Sequence, residues 1–223
     1  MSGHGASRST FFYAIVTWGL RVLLRLLFHV RTKGVRRFPQ HGAFIVAGNH
    51  ASFLDPPVMG AMIKGWMIHF MARDSLFHPP WFGGALRRLG VIPLDRARGD
   101  IGAMRKALQT LKEGKALGLF PEGTRSPDGN LQPAKGGIGF LVAKAAVPVF
   151  PAYIHGTFEA WPKGSKMKRG TRVTVVYGDP ISPEEVVALG KGEYEKIAAL
   201  IMERIAALRP EAIALLDKRH RPS

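Results

Sequence analysis

A histidine and an aspartate stand five residues apart directly after an apolar segment. His50 and Asp55 belong to the sequence Asn-His-Ala-Ser-Phe-Leu-Asp, which follows the apolar residues 43–47. A carboxylate at this spacing can accept a hydrogen bond from one imidazole nitrogen and leave the other nitrogen free to take a proton. The pair therefore predicts a general base and the group that orients it. Ser52 and Asp55 before Pro56 equally match a helix-capping pattern, so both interpretations stay open.

A second polar segment, residues 120–126, also follows an apolar run. Its sequence is Phe-Pro-Glu-Gly-Thr-Arg-Ser, and its candidate site residues are Glu122, Gly123, Thr124 and Arg125. The glycine allows close approach of the backbone, and the arginine fork can bind a phosphate. These residue types favour a site for a hydroxylated and phosphorylated ligand. The alternative is a surface turn that holds an ion pair between arginine and glutamate.

A third segment of this kind, residues 90–96, reads Gly-Val-Ile-Pro-Leu-Asp-Arg. It predicts a short strand that is followed by Arg96, a further candidate for binding phosphate. The alternative is a strand exit with a solvated pair of Asp95 and Arg96.

The sequence lacks the patterns of several other kinds of catalytic site. It has no cysteine, no Gly-x-Ser-x-Gly segment and no His-Glu-x-x-His segment, and its eight histidines are not paired at ligand spacing. These absences exclude a thiol nucleophile and leave a serine hydrolase of that type and a metal site unsupported. We expect neither a metal nor another cofactor. The absence of cysteine also suits a reducing compartment.

Apolar runs alternate with amphipathic segments along most of the chain. The predicted strands are residues 43–47, 67–72, 91–94, 116–120, 147–154 and 172–177. The predicted helices are residues 56–63, 101–113, 138–145, a segment from Pro183 with Ser182 as its cap, and 193–208. This alternation predicts an α/β fold with a largely parallel central sheet flanked by helices. Prolines within 147–154 predict that this strand lies near an edge or a bend.

The chain carries a strong positive charge. It has 32 lysines and arginines against 16 aspartates and glutamates, a net charge of +16. Such a chain meets an anionic partner, which can be nucleic acid, a lipid surface or an acidic substrate. No acidic residue precedes Asp55, and residues 163–172 form a second basic stretch without acids. We interpret these clusters as a face turned towards a negative surface.

Residues 11–30 form the most apolar segment of the chain. Its polar residues Thr17, Arg21, Arg25 and His29 recur every four residues, so on a helix they form one narrow stripe. Because arginines interrupt it, the uncharged run is too short to cross a bilayer. The pattern predicts a helix that lies in the membrane interface, with the arginine heads reaching lipid phosphates. The alternative is an amphipathic helix docked on its own domain.

Four blocks of the sequence, taken in order, resemble those of the glycerolipid acyltransferase family. They are residues 49–55 (N-H-x-x-x-x-D), 90–96 (G-x-I-x-x-x-R), 120–126 (F-P-E-G-T-R-S) and 147–152 (V-P-V-x-P-A). The resemblance spans residues 40–180. One departure is Pro133-Ala134 before Lys135, where family members often place an aromatic residue. The resemblance implies an acyltransferase domain over residues 39–223, and the pattern of residues 11–30 predicts an amphipathic membrane-associating segment, residues 1–38, before it.

The resemblance also implies an activity. We expect transfer of a fatty acyl group from acyl-coenzyme A or acyl carrier protein to the sn-2 hydroxyl of 1-acyl-sn-glycerol-3-phosphate, which gives phosphatidic acid. His50 is the implied general base, and Asp55 orients its imidazole. The residues implied in binding the acceptor are Glu122, Gly123, Thr124 and Arg125, with Arg96 as a further phosphate candidate.

The implied partners are the acyl thioester, lysophosphatidic acid and an anionic phospholipid membrane. We expect a monotopic or peripheral protein at the cytoplasmic face of that membrane. One alternative is an acyltransferase that acts on another lysophospholipid or glycerol acceptor. Another is a non-enzymatic basic protein that binds membranes or nucleic acid. No nucleic-acid recognition module is evident in the sequence, so nucleic acid is not an expected partner.

Overall fold

The computed structural model describes residues 11–94, 101–135 and 137–217. The strands are Arg31–Lys33 (β1), Phe44–Gly48 (β2), Ile68–Arg73 (β3), Ile92–Leu94 (β4), Ala116–Leu119 (β5), Val149–His155 (β6) and Thr174–Tyr177 (β7). The helices are Phe11–Phe28 (α1), Asp55–Met62 (α2), Pro80–Arg88 (α3), Ile101–Lys112 (α4), Gly137–Ala145 (α5), Thr157–Ala160 (α6), Pro183–Ala188 (α7), Tyr194–Ala207 (α8) and Arg209–Asp217 (α9). Every strand and helix predicted after residue 40 is present, and its ends shift by at most two residues.

Within the described residues, the strands form one sheet in the order β1-β7-β6-β2-β5-β3-β4. Every neighbouring pair is parallel except β6 and β7. Strand β2 lies at the centre, between β5 and β6. The predicted α/β fold with a largely parallel sheet flanked by helices is therefore confirmed.

The prolines of β6 predicted a strand near an edge or a bend of the sheet. The strand does not lie at an edge. It has β2 on one side and β7 on the other. The antiparallel ladder with β7 begins at Ala152, one residue after Pro151. Because Pro151 has no N–H, it cannot return a bond to Gly178, and the regular ladder starts one residue after it. The Pro151 carbonyl still accepts a hydrogen bond from the Gly178 N–H at 2.8 Å.

Apolar layers cover both faces of the sheet. Along β2, Phe44 and Val46 pack into the layer that contains α1 and α2. Ile45 and Ala47 pack into the opposite layer, which contains α4, α5 and α8. Side chains alternate between the faces of a strand, so a strand buried on both faces is apolar throughout. This burial holds β2 rigidly where the polar segment 49–55 leaves it.

Helix α1 docks on α2 through part of its predicted polar stripe. Thr17 is buried, and its hydroxyl donates to the Tyr13 carbonyl at 2.8 Å. Arg21 Nε donates at 3.0 Å to the carbonyl of Ala61, in the last turn of α2. Carbonyls in the last turn of a helix lack intrahelical partners, so the guanidinium satisfies one of them. The contact of the arginine heads with lipid phosphates stays a prediction, for which Arg25 is exposed whereas Arg21 Nε is already bonded to α2.

The opposite side of α1 exposes apolar side chains along its whole length. They are Phe11, Phe12, Ile15, Trp18, Val22, Leu23 and Leu26. By length and composition the helix is apolar enough to cross a membrane, and 22% of it is buried against the rest of the chain. An exposed apolar set of this size is typical of a surface that meets lipid or another apolar partner. One side of α1 therefore packs against the rest of the chain, while its other side exposes an apolar face.

The segment after α1 joins the sheet. Strand β1 pairs in parallel with β7, with Arg31 opposite Thr174. Residues 1–38 thus contain both a helix with an exposed apolar face and the edge strand of the sheet.

Candidate functional site

The carboxyl ends of β2 and β5 bring two of the predicted segments together. The two strands are parallel neighbours, so the chain leaves them side by side at one edge of the sheet. The His50 N–H donates to Glu122 Oε1 at 3.0 Å, and the Ser126 N–H donates to the His50 carbonyl at 2.7 Å. The residues of both segments therefore form one site, at the strand ends where α/β sheets bind ligands.

Asn49 fixes the start of the turn that carries the histidine. Its side-chain amide donates to the Ile154 carbonyl at 2.9 Å and accepts from the Ile154 N–H at 2.7 Å. These two bonds tie the end of β2 to β6. An apolar side chain at this position would leave both buried backbone groups without a partner.

His50 and Asp55 form the predicted pair. Imidazole Nδ1 lies 2.8 Å from Asp55 Oδ2. The Asp55 side chain is fully buried, whereas that of His50 is 18% exposed. The same Oδ2 accepts the N–H groups of Ala51 at 2.6 Å and Ser52 at 2.7 Å. When Asp55 is ionised, Nδ1 carries the hydrogen, and Nε2 has the lone pair that can take a proton.

The capping pattern that the sequence offered as an alternative is present in part, because Asp55 Oδ2 accepts from the Ser52 N–H and Ser52 Oγ accepts from a helix-start N–H, but Asp55 is not itself the N-cap. It is the first residue of α2, and no side chain caps this helix at Leu54. The Asp55 carboxylate instead turns back to the N–H groups that precede the helix. Ser52 Oγ accepts from the Leu54 N–H at 3.1 Å and donates to the Trp161 carbonyl at 2.8 Å. Both ends of the turn are therefore held by hydrogen bonds.

The Phe120 ring covers one face of the His50 imidazole. Their centroids are 4.2 Å apart, and the planes differ by 20°. The Phe70 ring continues the stack, 5.9 Å from Phe120. Two glycines make room for Phe70, since a Cβ would lie 2.2 Å from the ring at Gly118 and 2.8 Å from it at Gly60. The imidazole is thus held by a carboxylate at its edge and by an aromatic ring on its face.

Glu122 is buried behind the histidine turn, with 2% of its surface exposed. Burial raises the pKa of Glu122 from its ordinary 4.5 to about 7. Backbone hydrogen bonds from His50 and Gln132 lower this pKa, and the negative charge of Asp55 raises it further. Its Oε2 has no hydrogen-bond partner among the described residues. Near neutral pH a fraction of the carboxyl groups is therefore protonated, and the protonated form can donate a hydrogen bond.

Arg125 lies against the aromatic ring of Phe53, with Cζ 3.6 Å from the ring centroid. Phe53 in turn packs against Trp161 at 5.4 Å. Burial lowers the pKa of Arg125, the positive charge of Arg73 lowers it further, and Asp55 opposes both. Arg125 Nη1 is buried without a hydrogen-bond partner in the described part of the chain. A phosphate oxygen at this point would satisfy it.

Gly123 lets the chain turn sharply between the buried glutamate and the arginine. Its φ of 66° lies in the left-handed region that glycine favours. A Cβ there would lie 2.8 Å from the Lys135 side chain, and the Lys135 N–H donates to the Pro121 carbonyl at 2.9 Å. Lys135 therefore packs over this turn, although an alanine replaces the aromatic residue before it. Thr124 is exposed beside the turn.

The third predicted segment lies partly outside the described residues. Its strand, β4, is the edge strand beside β3. Arg96 falls outside the residues that the structure describes.

Arg73 and Phe53 are site residues that the sequence reasoning missed. Arg73 ends β3, the parallel neighbour of β5, so it reaches the same edge and its charge acts on Arg125. A basic residue directly after a predicted strand was the available signal. Phe53 stands inside the segment 49–55, but only packing reveals its contact with Arg125.

The arrangement suits proton removal from a hydroxyl of a phosphorylated molecule. Among the described residues, no group of three or more histidine and carboxylate side chains could hold a metal ion. What the site offers is an oriented imidazole beside a guanidinium with a buried unpartnered nitrogen. The imidazole can act as a base, and the guanidinium can hold a phosphate.

Two known proteins have sequences similar to this chain over most of its length. It is 26% identical over 188 residues to the 1-acyl-sn-glycerol-3-phosphate acyltransferase of Bacillus subtilis. This alignment covers 84% of this chain and 90% of that protein. It is 29% identical to the chloroplastic 1-acyl-sn-glycerol-3-phosphate acyltransferase LPAT1 of Arabidopsis thaliana, covering 86% of this chain and 54% of that one. The chain therefore spans about half the length of the plant relative.

The fold is also similar to that of a solved structure. The crystal structure of the 1-acyl-sn-glycerophosphate (LPA) acyltransferase PlsC from Thermotoga maritima matches with a TM-score of 0.75 and 27% identity. The match covers 94% of this chain and 83% of that one.

The sequence pattern of the acyltransferase family matches residues 29–155. This range runs from the end of α1 to the end of β6 and includes both His50 and Arg125. Because the match covers more than half of the chain and the relatives are named as enzymes, the chain belongs to the acyltransferase family and is an enzyme.

Proposed function

We propose that the chain transfers a fatty acyl group from an acyl thioester to the sn-2 hydroxyl of 1-acyl-sn-glycerol-3-phosphate, giving phosphatidic acid. The observation that carries the proposal is the His50–Asp55 pair beside Arg125, whose Nη1 lacks a partner among the described residues. The pair supplies a base for a hydroxyl, and the guanidinium supplies a partner for a phosphate. The names of relatives in the family support this acceptor.

His50 acts as the general base through Nε2. It takes the hydroxyl proton as the hydroxyl oxygen attacks the thioester carbonyl carbon, and Asp55 stabilises the imidazolium through Nδ1. The new C–O bond forms, the C–S bond breaks, and the imidazolium returns the proton to the leaving thiolate. The substrate hydroxyl is itself the nucleophile, and the chain has no cysteine. Transfer is therefore direct, in a ternary complex without an acyl-enzyme.

Arg125 binds the phosphate of the acceptor, and Phe53 holds the guanidinium plane from one side. Arg73 adds a second positive charge at the same edge of the sheet. The other residues proposed to bind the acceptor are Glu122, Gly123, Thr124 and, from the motif alone, Arg96.

The donor is acyl-coenzyme A or acyl carrier protein. Both are anionic, which suits a chain of net charge +16. The exposed apolar face of α1 lies in the membrane interface, so that the acyl chains of the substrates reach the site from lipid. The enzyme therefore works at a membrane surface, and the absence of cysteine suits the reducing, cytoplasmic side.

Acyl transfer by the purified protein in detergent tests this function. Lysophosphatidic acid is supplied with long-chain acyl-coenzyme A or acyl carrier protein, and phosphatidic acid is measured by mass spectrometry. We expect His50→Ala to lose about 10²- to 10⁴-fold in kcat. His41→Ala, which changes an exposed histidine before β2, should retain activity. Equal turnover by a folded His50→Ala variant would refute the catalytic role, and product only from another lysophospholipid would refute the acceptor.

Cosedimentation with phospholipid vesicles tests the role of α1. Trp18 and Leu26 are strongly exposed on its apolar face, and we expect the double variant Trp18→Ser/Leu26→Ser to remain in the supernatant. The control is Val187→Ser, which removes an equally exposed apolar side chain from α7. Sedimentation of the double variant together with the wild type would count against membrane association through this face.

A further inference from the structure

A cationic cleft of about 370 Å³ lies where β1 and β7 begin. The end of α1 contributes Arg25 and His29, the two strand starts contribute Arg31 and Arg172, and α9 closes the cleft with Leu216. Three arginines and a histidine therefore line one small volume. Arginine is the side chain best suited to bind phosphate oxygens, because its planar fork can donate two hydrogen bonds at once.

The backbone around this cleft is held in place by hydrogen bonds. The Arg31 Nη1 donates to the Leu215 carbonyl of α9 at 3.1 Å. The Gly170 N–H donates to the Leu27 carbonyl at 2.8 Å, which joins the basic stretch 163–172 to the end of α1. Within the part of the chain that the structure describes, neither Arg25 nor Arg172 forms an ion pair with a carboxylate. These two charges are available to an external anion.

The cleft opens at the same edge of the sheet as the catalytic site. Strand β7 runs antiparallel to β6, with Thr174 opposite His155, so β7 begins where β6 and its parallel neighbour β2 end. Strand β7 is two strands away from β2, and β1 is three strands away. With neighbouring strands about 4.8 Å apart, the cleft lies roughly 10 to 15 Å from the strand that carries His50.

An apolar surface borders the cleft. Leu26, next to Arg25 in sequence, is 71% exposed and ends the apolar face of α1. A phospholipid in a membrane surface presents this same combination, with a charged phosphate directly beside apolar chains. Among the described residues, the cleft lining contains no phenylalanine, tyrosine or tryptophan on which a nucleobase could stack. The surroundings therefore favour a lipid phosphate over the nucleotide part of a coenzyme.

We propose that this cleft binds the phosphate group of an anionic phospholipid in the membrane surface, and that it is a second anion site, separate from the acceptor site at Arg125. The inference rests on the proposed membrane association of α1. A lipid phosphate held here fixes the rotation of the protein about α1, so that the catalytic edge of the sheet faces the membrane surface. The apolar face of α1 supplies the insertion, and the cleft supplies the orientation and the preference for anionic lipid.

Vesicle binding by the full chain tests the cleft. The variant Arg25→Gln/Arg172→Gln removes two of its charges. The matched control Lys106→Gln/Lys112→Gln removes two exposed charges from α4, on the opposite face of the sheet from α1. Binding is measured by cosedimentation with vesicles of equal parts phosphatidylcholine and phosphatidylglycerol, and with vesicles of phosphatidylcholine alone. Thermal unfolding of each variant checks that it is folded.

We expect the cleft variant to bind the anionic vesicles about 30-fold more weakly than the wild type, from about 1 kcal/mol for each basic side chain near an anionic surface. The control should lose less than about 3-fold, and binding to phosphatidylcholine should be equal for all three proteins. Equal losses in the cleft and control variants would overturn the proposal, because net charge alone would then account for the binding.

Two further results would also overturn it. If inorganic phosphate binds the wild type but not the cleft variant in the absence of vesicles, while vesicle binding is equal, the cleft holds free phosphate. If vesicle binding is equal but the KM for acyl-coenzyme A in detergent rises, the cleft serves the donor. Because the main measurement is of binding, it stays informative even if lysophosphatidic acid is not the acceptor.

Discussion

The ring of Phe120 lies nearly parallel to the imidazole of His50, with their centroids 4.2 Å apart. This contact joins the first residue of one motif, residues 120–126, to the histidine of another, residues 49–55. Asp55 binds only one edge of the imidazole and leaves it free to tilt about that hydrogen bond. The aromatic face removes this freedom, and the ring of Phe70 supports Phe120 from behind.

We expect Phe120→Leu to lower kcat by about 10- to 100-fold with little change in the KM for the acceptor, because a small misplacement of a base is costly. Phe120→Tyr keeps the ring and should retain most activity. Steady-state kinetics with lysophosphatidic acid measures both variants. In the NMR spectrum, the His50 carbon-bound ring protons should lose an upfield shift in Phe120→Leu only. Equal kcat in all three proteins would show that the stack does not position the base.

Glu122 should make the stability of the protein fall as the pH rises. Its pKa is about 7 in the folded state against an ordinary 4.5, so between these values the folded state binds more protons than the unfolded state. Its contribution is complete below about pH 4.5 and is lost as the pH rises through about 7, by up to about 3 kcal/mol.

The variant Glu122→Gln isolates this effect, because histidines also titrate in the same range. Urea unfolding at several pH values gives the free energy of unfolding of both proteins. From about pH 5 to about pH 8, we expect the free energy of unfolding to fall more in the wild type than in the variant, so the difference between the two proteins changes steadily. A constant difference across this range would contradict the raised pKa of Glu122.

The contact between Phe53 and Arg125 should affect acceptor binding rather than the chemical step. Cation–π contacts contribute about 0.5 to 2 kcal/mol, so Phe53→Leu should raise the KM for lysophosphatidic acid by about 2- to 30-fold and leave kcat nearly unchanged. Phe53→Tyr keeps the aromatic face and serves as the control. A fall in kcat without a change in KM would mean that Phe53 supports the His50 turn instead.

Gly118 should tolerate no side chain while Phe70 is present. A Cβ at Gly118 would lie 2.2 Å from the Phe70 ring, inside the sheet, where neither strand can move freely. We expect Gly118→Ala to destabilise the fold by about 1 to 3 kcal/mol, as overpacking does. In Gly118→Ala/Phe70→Leu the smaller side chain should recover part of this loss. Denaturant unfolding measures both, and no recovery would mean that the clash lies elsewhere.

The elements of the sheet could be predicted from the sequence because their signals are local. The strand Phe44–Gly48 is apolar throughout since both of its faces are buried. Ser182 caps the start of α7, as its position before Pro183 predicts, and it forms a capping box with Glu185. Strand β1, by contrast, consists of Arg-Thr-Lys, which has no strand pattern. It is a strand only because β7 provides a partner for its backbone.

The chemistry of the site divides in the same way. The sequence by itself predicted His50 and Asp55 as a candidate pair, because the two stand five residues apart in one short segment, and it predicted the strand ends at which the motifs lie. The tertiary structure alone decided that Phe120 covers the imidazole, that Arg73 reaches Arg125, and that Thr17 and Arg21 face the domain. These contacts join residues far apart in the chain, and they depend on which strands are neighbours and which face of the sheet a helix covers. Spacing along the sequence carries no information about either.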